Sequence, residues 1–247
     1  MITADKHAAF ERLLAWYFRR RVRRSFAAVH VRGLGALRTS LAELRAAHPV
    51  PLVLYANHPG WWDAVLPFLI SVDALGLDAY GMMEEPQLAR YRFFRRIGMF
   101  SVDRERPREA MRSLAYAAEL VRAHNRALWV FPQGELVSAD LVPLRFQSGT
   151  AHLLRMLGDV AAAPVAIRYE FVADERAEAF LSVGPVWHIT PGERVDITIT
   201  TRMLESLLED EMAVQRETVR CRELSSYEML YRGSRSINAR WDSLRGK

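Results

Sequence analysis

The chain of 247 residues is long enough to bury a sizeable core without disulfides or metals, and its 50% hydrophobic and 26% charged composition excludes a disordered protein. The single cysteine, Cys221, excludes an intramolecular disulfide and a cysteine-ligated zinc cluster, which fits a reducing compartment. No stretch of about 18 uncharged apolar residues is present, so we expect no transmembrane helix. The first residues lack the apolar run of a secretory signal, so we expect no export.

The positive charge is concentrated near the N-terminus. Residues 1–38 contain nine Lys or Arg against Asp5 and Glu11, whereas the rest of the chain is close to neutral. Almost all of the basic residues are arginines, whose planar guanidinium binds phosphate through two parallel hydrogen bonds. A coding sequence biased towards GC would give the same excess of arginine. The charge therefore predicts a near-neutral body with a basic N-terminal segment.

The first predicted element is a helix over residues 7–26. Its apolar side chains recur every three or four residues, and most of its arginines fall on the opposite side. A basic, aromatic-rich amphipathic helix is typical of a segment that lies on a membrane surface. A helix that covers the core and exposes a basic face has the same pattern. We expect residues 1–30 to form a membrane-docking helical arm and residues 31–247 to form one domain.

Beyond the arm, predicted strands and helices alternate. The predicted strands are Val29–Arg32, Leu52–Ala56, Ala79–Met82, Met99–Val102, Leu128–Phe131, Val165–Phe171, Phe180–Val186 and Val195–Thr200. The predicted helices cover residues 36–47, 61–74, 85–96, 107–124, 146–157 and 202–224. This alternation predicts an α/β fold: a single layered domain with a mostly parallel or mixed central sheet flanked by helices. Glycine–proline pairs between the last strands favour antiparallel strands in that part.

The segment after the predicted strand Leu52–Ala56 is the main candidate for a site. His58 precedes Pro59 and is therefore expected at the end of the strand, while Asp63 falls in the first turn of the next helix. Across such a corner the carboxylate can reach the imidazole, which gives a general base and its orienting acid at the carboxyl end of a strand. Taken alone, the pair is more typical of a histidine that closes a turn and an ordinary acidic residue at a helix start.

Three further segments change this interpretation. They are Gly98–Arg104, Phe131–Glu135 and Ala163–Ile167. Together with the preceding Asn-His-x-x-x-x-Asp motif, and in this order and spacing, they make the chain resemble the glycerolipid acyltransferase superfamily, which contains the lysophosphatidate and lysophospholipid acyltransferases. The resemblance covers about residues 50 to 168. It implies that residues 31–247 form an acyltransferase domain.

The resemblance also implies roles for the matched residues. His58 corresponds to the catalytic base and Asp63 to the acid that orients it, while Arg104 corresponds to the arginine that binds the phosphate of the acceptor. The fourth segment corresponds to a core strand that lines the pocket. The other residues that we expect to bind substrate are Asn57, Gln133, Gly134, Glu135 and Arg145.

The third segment departs from the pattern of the family, which usually reads Phe-Pro-Glu-Gly-Thr-Arg. Gln133 replaces the glutamate, Glu135 the threonine and Leu136 the arginine. The lost arginine and the added negative charge weaken a phosphate site, for which Arg145 could compensate. Either the phosphate is bound mainly from the side of Arg104, or the acceptor is an amine-bearing lysolipid, such as a lyso-ornithine lipid, which Glu135 would favour.

The expected reaction is transfer of a fatty acyl group from acyl-CoA or acyl carrier protein to the free hydroxyl of a lysoglycerolipid. A thioester is reactive enough for direct transfer, so we expect no metal and no further cofactor. Backbone N–H groups near the turn at Pro59-Gly60 or at the start of the following helix are expected to stabilise the oxyanion. The apolar residues after this turn are acyl-pocket candidates or ordinary core residues, and the candidates are Trp61, Trp62 and Leu66.

The expected partners are an anionic membrane surface, the lysolipid and, as one possible donor, acyl carrier protein. This implies a cytoplasmic protein that is peripheral on the cytoplasmic face of the membrane. A thioesterase with water as the acceptor and a non-catalytic lipid-binding module are the alternatives. Nucleic-acid binding is disfavoured because the positive charge lies at one end of the chain and no recognition motif accompanies it.

Overall fold

The computed structural model describes residues 1–122, 126–172 and 174–234, and it confirms the α/β prediction. Residues 123–124 of the predicted helix 107–124 and residues 235–247 of the predicted domain lie outside the described residues. The strands are β1 (Ala28–Arg32), β2 (Leu52–Ala56), β3 (Asp78–Glu84), β4 (Met99–Val102), β5 (Arg126–Val130), β6 (Val160–Glu170), β7 (Glu178–Val183), β8 (Trp187–Ile189) and β9 (Glu228–Arg232).

Within the described residues these strands form one mixed sheet. Its spatial order is β4-β3-β5-β2-β6-β7-β1-β9, and β8 pairs with β6. The five strands from β4 to β6 in this order are parallel, while β7 and β8 both run antiparallel to β6. The antiparallel part is the region in which glycine–proline pairs separate the strands. The parallel strands all point their carboxyl ends to one edge of the sheet, which is where α/β proteins place their sites.

Helices cover both faces of the sheet. They are α1 (Ala8–Ser25), α2 (Leu34–Arg45), α3 (Leu66–Leu69), α4 (Glu85–Arg90), α5 (Pro107–Val121), α6 (Gly149–Leu157) and α7 (Ile197–Arg220). Side chains alternate along β2, so Leu52 and Leu54 join the core beneath α1–α3, whereas Val53 and Tyr55 join the core beneath α5–α7. None of the helices described is long and apolar enough to cross a membrane.

Helix α1 lies over one face of the sheet. Its Ala15, Phe18 and Val22 are buried in the core that it shares with α2 and α3. Leu13 and Trp16 lie on the outer side, each 58% exposed. The helix therefore has both properties that its pattern allowed, since it covers the core and presents an aromatic, basic outer side. The division of the chain at residue 30 stays a prediction.

The structure corrects several of the predicted elements. Residues 195–200 alternate like a strand, but Asp196 caps α7 by accepting the Ile199 N–H at 3.0 Å, so the segment leads into a helix. Two predicted helices are divided: residues 61–74 form a 3₁₀ turn (Trp61–Ala64), α3 and a wider π turn, and residues 85–96 form α4 and a 3₁₀ helix (Arg92–Ile97). The short strands β8 and β9 were not predicted.

Candidate active site

The predicted site residues gather at the carboxyl edge of the parallel strands. Residues 57–63 follow β2, Arg104 follows β4, and residues 131–135 follow β5. The parallel strands β4, β5 and β2 therefore bring the first three sequence segments to one edge, with β3 between β4 and β5. The fourth segment lies in β6, which pairs with β2 from Leu52 to Ala56 and extends beyond it.

His58 and Asp63 form a hydrogen-bonded pair. His58 Nδ1 lies 2.7 Å from Asp63 Oδ2, and the His58 ring stacks on Phe131 with 4.4 Å between ring centroids. The Asp63 side chain is completely buried, whereas 24% of the His58 side chain is exposed. In the neutral imidazole, this hydrogen bond places the proton on Nδ1 and the lone pair on Nε2. Within the described residues Nε2 has no hydrogen-bond partner, so it can accept a proton.

The carboxylate of Asp63 is held from three directions. Besides His58, its Oδ2 accepts the Gly60 backbone N–H at 2.8 Å, and its Oδ1 accepts the hydroxyl of Tyr169 in β6. Every oxygen of this buried group therefore has a donor. The Gly60 N–H is committed to Asp63, which removes it from the expected oxyanion donors. Sequence reasoning missed Tyr169; the available signal was its position two residues beyond Ile167, on the same face of a strand that ends at the site.

Asn57 joins the two strands behind this pair. Its Nδ2 donates to the Ile167 carbonyl at 2.9 Å, and its Oδ1 accepts the Ile167 N–H at 2.7 Å. The residue is 1% exposed. Both polar groups of the amide are thus engaged with backbone. The geometry supports a structural role, in which Asn57 fixes the end of β2 against β6.

The segment after β5 closes over the backbone of His58. Gln133 Oε1 accepts the His58 N–H at 3.1 Å, and the Val137 N–H donates to the His58 carbonyl at 2.9 Å. Gln133 is 5% exposed, and its buried Nε2 has no hydrogen-bond partner in the described parts of the chain. The predicted substrate residue Gln133 therefore helps to position the backbone that carries the base.

Arg104 and Gly134 meet at the same edge. Gly134 has a φ of +77°, a backbone conformation that favours glycine, and a Cβ atom there would press against Arg104 Nη1 and displace that side chain. The Arg104 side chain is 41% exposed, and its guanidinium forms an ion pair with Glu84 at the end of β3. An anionic acceptor would have to compete with Glu84 for this arginine.

Two other predicted binding residues are placed differently. Glu135 is exposed beside Gly134. Arg145 is also exposed, but its backbone N–H donates to Glu205 of α7 at 2.7 Å. Within the described residues no hydrogen bond or ion pair joins the Arg145 side chain to Arg104 or Gln133. Glu135 thus adjoins Gly134 directly, whereas the chain near Arg145 is tied to this segment through the Gln147 N–H, which donates to the Pro132 carbonyl at 2.9 Å. A substrate-binding role for either residue stays a prediction.

The three acyl-pocket candidates differ in exposure. Leu66 is fully buried in the core, and Trp62 is partly buried with its ring edge-on to Phe26, 5.0 Å between centroids. Trp61 is 59% exposed and lies edge-on to Trp62. Leu66 accordingly packs as an ordinary core residue, and Trp61 is the candidate that is accessible from outside.

Comparisons with known proteins bear on this site. A family model described as Acyltransferase matches residues 29–168, which is more than half of the chain and includes all four segments. A 1-acyl-sn-glycerol-3-phosphate acyltransferase of Saccharomyces cerevisiae is 28% identical over 118 residues. The matched region is 47% of this chain and 38% of the yeast protein, so the chain matches well under half of the length of that relative.

Proposed function

Because this chain belongs to the acyltransferase family, we propose that it transfers a fatty acyl group from a thioester to the free hydroxyl of a lysoglycerolipid of the 1-acylglycerol-3-phosphate type. The observation that carries the proposal is the hydrogen bond between His58 Nδ1 and Asp63, while Nε2 has no hydrogen-bond partner in the described part of the chain. The similarity to the yeast enzyme named for this acceptor supports the substrate class.

The proposed reaction uses His58 as a general base. Nε2 takes the proton of the acceptor hydroxyl as its oxygen attacks the thioester carbonyl, and Asp63 stabilises the imidazolium that forms. The tetrahedral intermediate then collapses: the new C–O ester bond remains, the C–S bond breaks, and the thiolate leaves and takes up the proton from the imidazolium. The products are a diacyl lipid and a free thiol. No cofactor beyond the acyl-CoA or acyl carrier protein donor takes part in this sequence.

Arg104 is the proposed contact for an acidic acceptor head group. Its guanidinium is accessible and is held against Gly134, which follows β5, the strand next to β2 and His58. A phosphate would replace one charged partner, Glu84, with another. The carboxylates of Glu84 and Glu135 at this edge favour a second candidate, an amine-bearing lysolipid, with the same chemistry at the hydroxyl.

We also propose that the protein docks on the cytoplasmic face of an anionic membrane with this edge towards the lipid. Trp61, Leu136 and Phe171 follow β2, β5 and β6 and are 59%, 62% and 75% exposed. The carboxyl end of α1 leads into β1, which begins at the same edge, and Arg21 and Arg24 are exposed there. Each arginine near an anionic surface contributes about 1 kcal/mol. Apolar and basic side chains thus surround the proposed entrance for lipid.

The test is thiol release from palmitoyl-CoA by the full chain, with and without lysophosphatidate. We expect release that depends on the acceptor and falls by about 10²–10⁴-fold in His58→Ala, because the general base is lost. The matched control is His188→Ala, which removes a histidine of similar exposure that is bonded to Asp159 at 2.9 Å, at the opposite edge. The control should keep normal turnover.

The other outcomes separate the alternatives. Acceptor-independent release would indicate a thioesterase. Release only with an amine-bearing lysolipid would favour the second acceptor. Normal turnover in His58→Ala would contradict the mechanism, and vesicle binding without any turnover in the natural protein would favour a non-catalytic lipid-binding module.

A further inference from the structure

Tyr169 contacts Asp63, the acid of the proposed catalytic pair His58–Asp63. Its hydroxyl donates to Asp63 Oδ1, the oxygen that does not bond His58. Its ring stacks on Phe26 with 5.6 Å between centroids, and a Cβ atom at Gly60 would lie 3.3 Å from its Cε2. The ring is therefore held between Phe26, the residue that follows α1, and the turn that carries His58.

The direction of the imidazole depends on this contact. Asp63 lies on a short 3₁₀ turn, and its carboxylate plane is defined by the donors at its two oxygens. His58 and Gly60 both bond Oδ2, so Tyr169 is the donor that holds Oδ1. Without the Tyr169 hydrogen bond, the Asp63 carboxylate can rotate about χ2, because the energy of an aspartate side chain changes little over a wide range of this angle. The acceptor of the His58 Nδ1–H would then have a less well-defined position, and so would the imidazole ring.

Tyr169 keeps its proton across the working range of pH. Burial, and next the negative charge of Asp63, raise the pKa of Tyr169 well above its usual value. The hydroxyl therefore always acts as a donor to the carboxylate. A protonated donor draws electron density from Asp63 and moderates its attraction for the imidazolium of His58.

We propose that Tyr169 is a positioning residue for acyl transfer, the third member of a hydrogen-bonded chain Tyr169–Asp63–His58 that fixes the imidazole for proton abstraction. The proposal rests on the proposed function of His58 as a base. It adds a role for a side chain that contacts neither the hydroxyl nor the thioester.

The test compares Tyr169→Phe with the natural protein in two measurements. In steady-state transfer, kcat should fall about 10- to 100-fold with the acceptor KM unchanged, because misplacement of a catalytic group by about an ångström costs rates of this order. In an NMR titration without substrate, the imidazole of His58 should titrate at higher pH, because Asp63 has lost a donor and attracts the imidazolium more strongly. The acid limb of the kcat profile should move in the same direction.

Tyr231→Phe is the matched control. Tyr231 is also a largely buried tyrosine whose hydroxyl donates to an aspartate, Asp73, and the other partner of that aspartate is Arg19. We expect a comparable loss of thermal stability, with kcat and the His58 titration unchanged. In an Asp63→Asn background, Tyr169→Phe should cause no further loss of kcat, because Tyr169 acts through Asp63.

The measurements separate failure of this proposal from failure of the proposed function. Unchanged kcat and an unchanged His58 titration in folded Tyr169→Phe would overturn the positioning role while acyl transfer stands. Absence of transfer in the natural protein would overturn the function, and the NMR titration would still decide whether Tyr169 is coupled to His58. If Tyr169→Phe does not fold, 3-fluorotyrosine at position 169 keeps the hydroxyl as a stronger donor and should move the titration to lower pH; no movement would overturn the proposal.

Discussion

The base end of the site and its acceptor end are held in different ways. Around His58 and Asp63, the polar contacts are to buried or partly buried groups, and the Asp63 side chain is completely buried. At the acceptor end, the Arg104 side chain is 41% exposed and that of its ion-pair partner Glu84 is 45% exposed. Buried hydrogen-bonded groups are costly to disturb, whereas exposed ion pairs contribute little and rearrange easily. The groups proposed for proton transfer are therefore held in fixed positions, whereas the side chains at the acceptor end can rearrange when a lipid binds.

The departures from the family pattern follow the same division. Glu135 and Leu136, which change charge, lie in the exposed part, with Leu136 62% exposed. Gln133 lies in the buried part, and its amide oxygen accepts the His58 N–H, as a carboxylate oxygen at the same place could. The buried substitution thus preserves an acceptor for the backbone of the base, and the exposed substitutions alter the charge that an acceptor lipid meets.

The largest effect on stability is expected from substituting Asn57, which supports the base end of the site. Asn57→Ala leaves the N–H and carbonyl of Ile167 without partners in a buried place, at a cost of about 1–3 kcal/mol for each. The free energy of unfolding, measured by urea denaturation, should fall by about 2–4 kcal/mol. Folded protein at low temperature should keep its acceptor KM. A raised KM with unchanged stability would instead assign Asn57 to substrate binding.

The contrast also explains how much of the site could be predicted. His58 and Asp63 are five residues apart at one corner of the chain, so their contact follows from local geometry. The contacts of Tyr169 with Asp63 and of Arg104 with Glu84 span 106 and 20 residues. They depend on which strands become neighbours and on where each strand ends. No local pattern contains that information.

Elements of the fold were likewise predictable where local sequence determines them, and the segment 195–200 shows where local sequence misleads. The bounds of β2 are those predicted because a short apolar run is limited by polar and proline residues on both sides. Residues 195–200 have the β-branched alternation of a strand, yet Asp196 begins α7 there and Ile199 is 69% exposed. The cap at Asp196 and the packing of α7 on β6 outweighed the strand preference of residues 195–200. The edge strand β9 has too weak an apolar pattern to be predicted alone.

A smaller effect is expected at the open end, from Arg104→Ala. If the acceptor bears a phosphate, its KM should rise about tenfold, the scale of a lost charge-assisted hydrogen bond, with kcat and thermal stability nearly unchanged. Arg112→Ala is the control, because Arg112 is another exposed arginine with a carboxylate partner, Glu109. Steady-state kinetics with lysophosphatidate at fixed palmitoyl-CoA provide the measurement. An unchanged KM for this acceptor would remove Arg104 from the site.

The smallest effect, and the one that most sharpens the choice of acceptor, is expected from Glu135→Gln. Glu135 is exposed, so removing its charge should change acceptor binding by less than about 1 kcal/mol, or a few-fold in KM. The direction is the informative part: KM should fall for a phosphate-bearing lysolipid, because a repulsive charge is lost, and rise for an amine-bearing one. The effect should shrink as salt is added, because exposed charges are screened. A change that is equal for both lipids would place Glu135 outside the reach of the head group, and acceptor choice would then rest on Arg104 and Glu84.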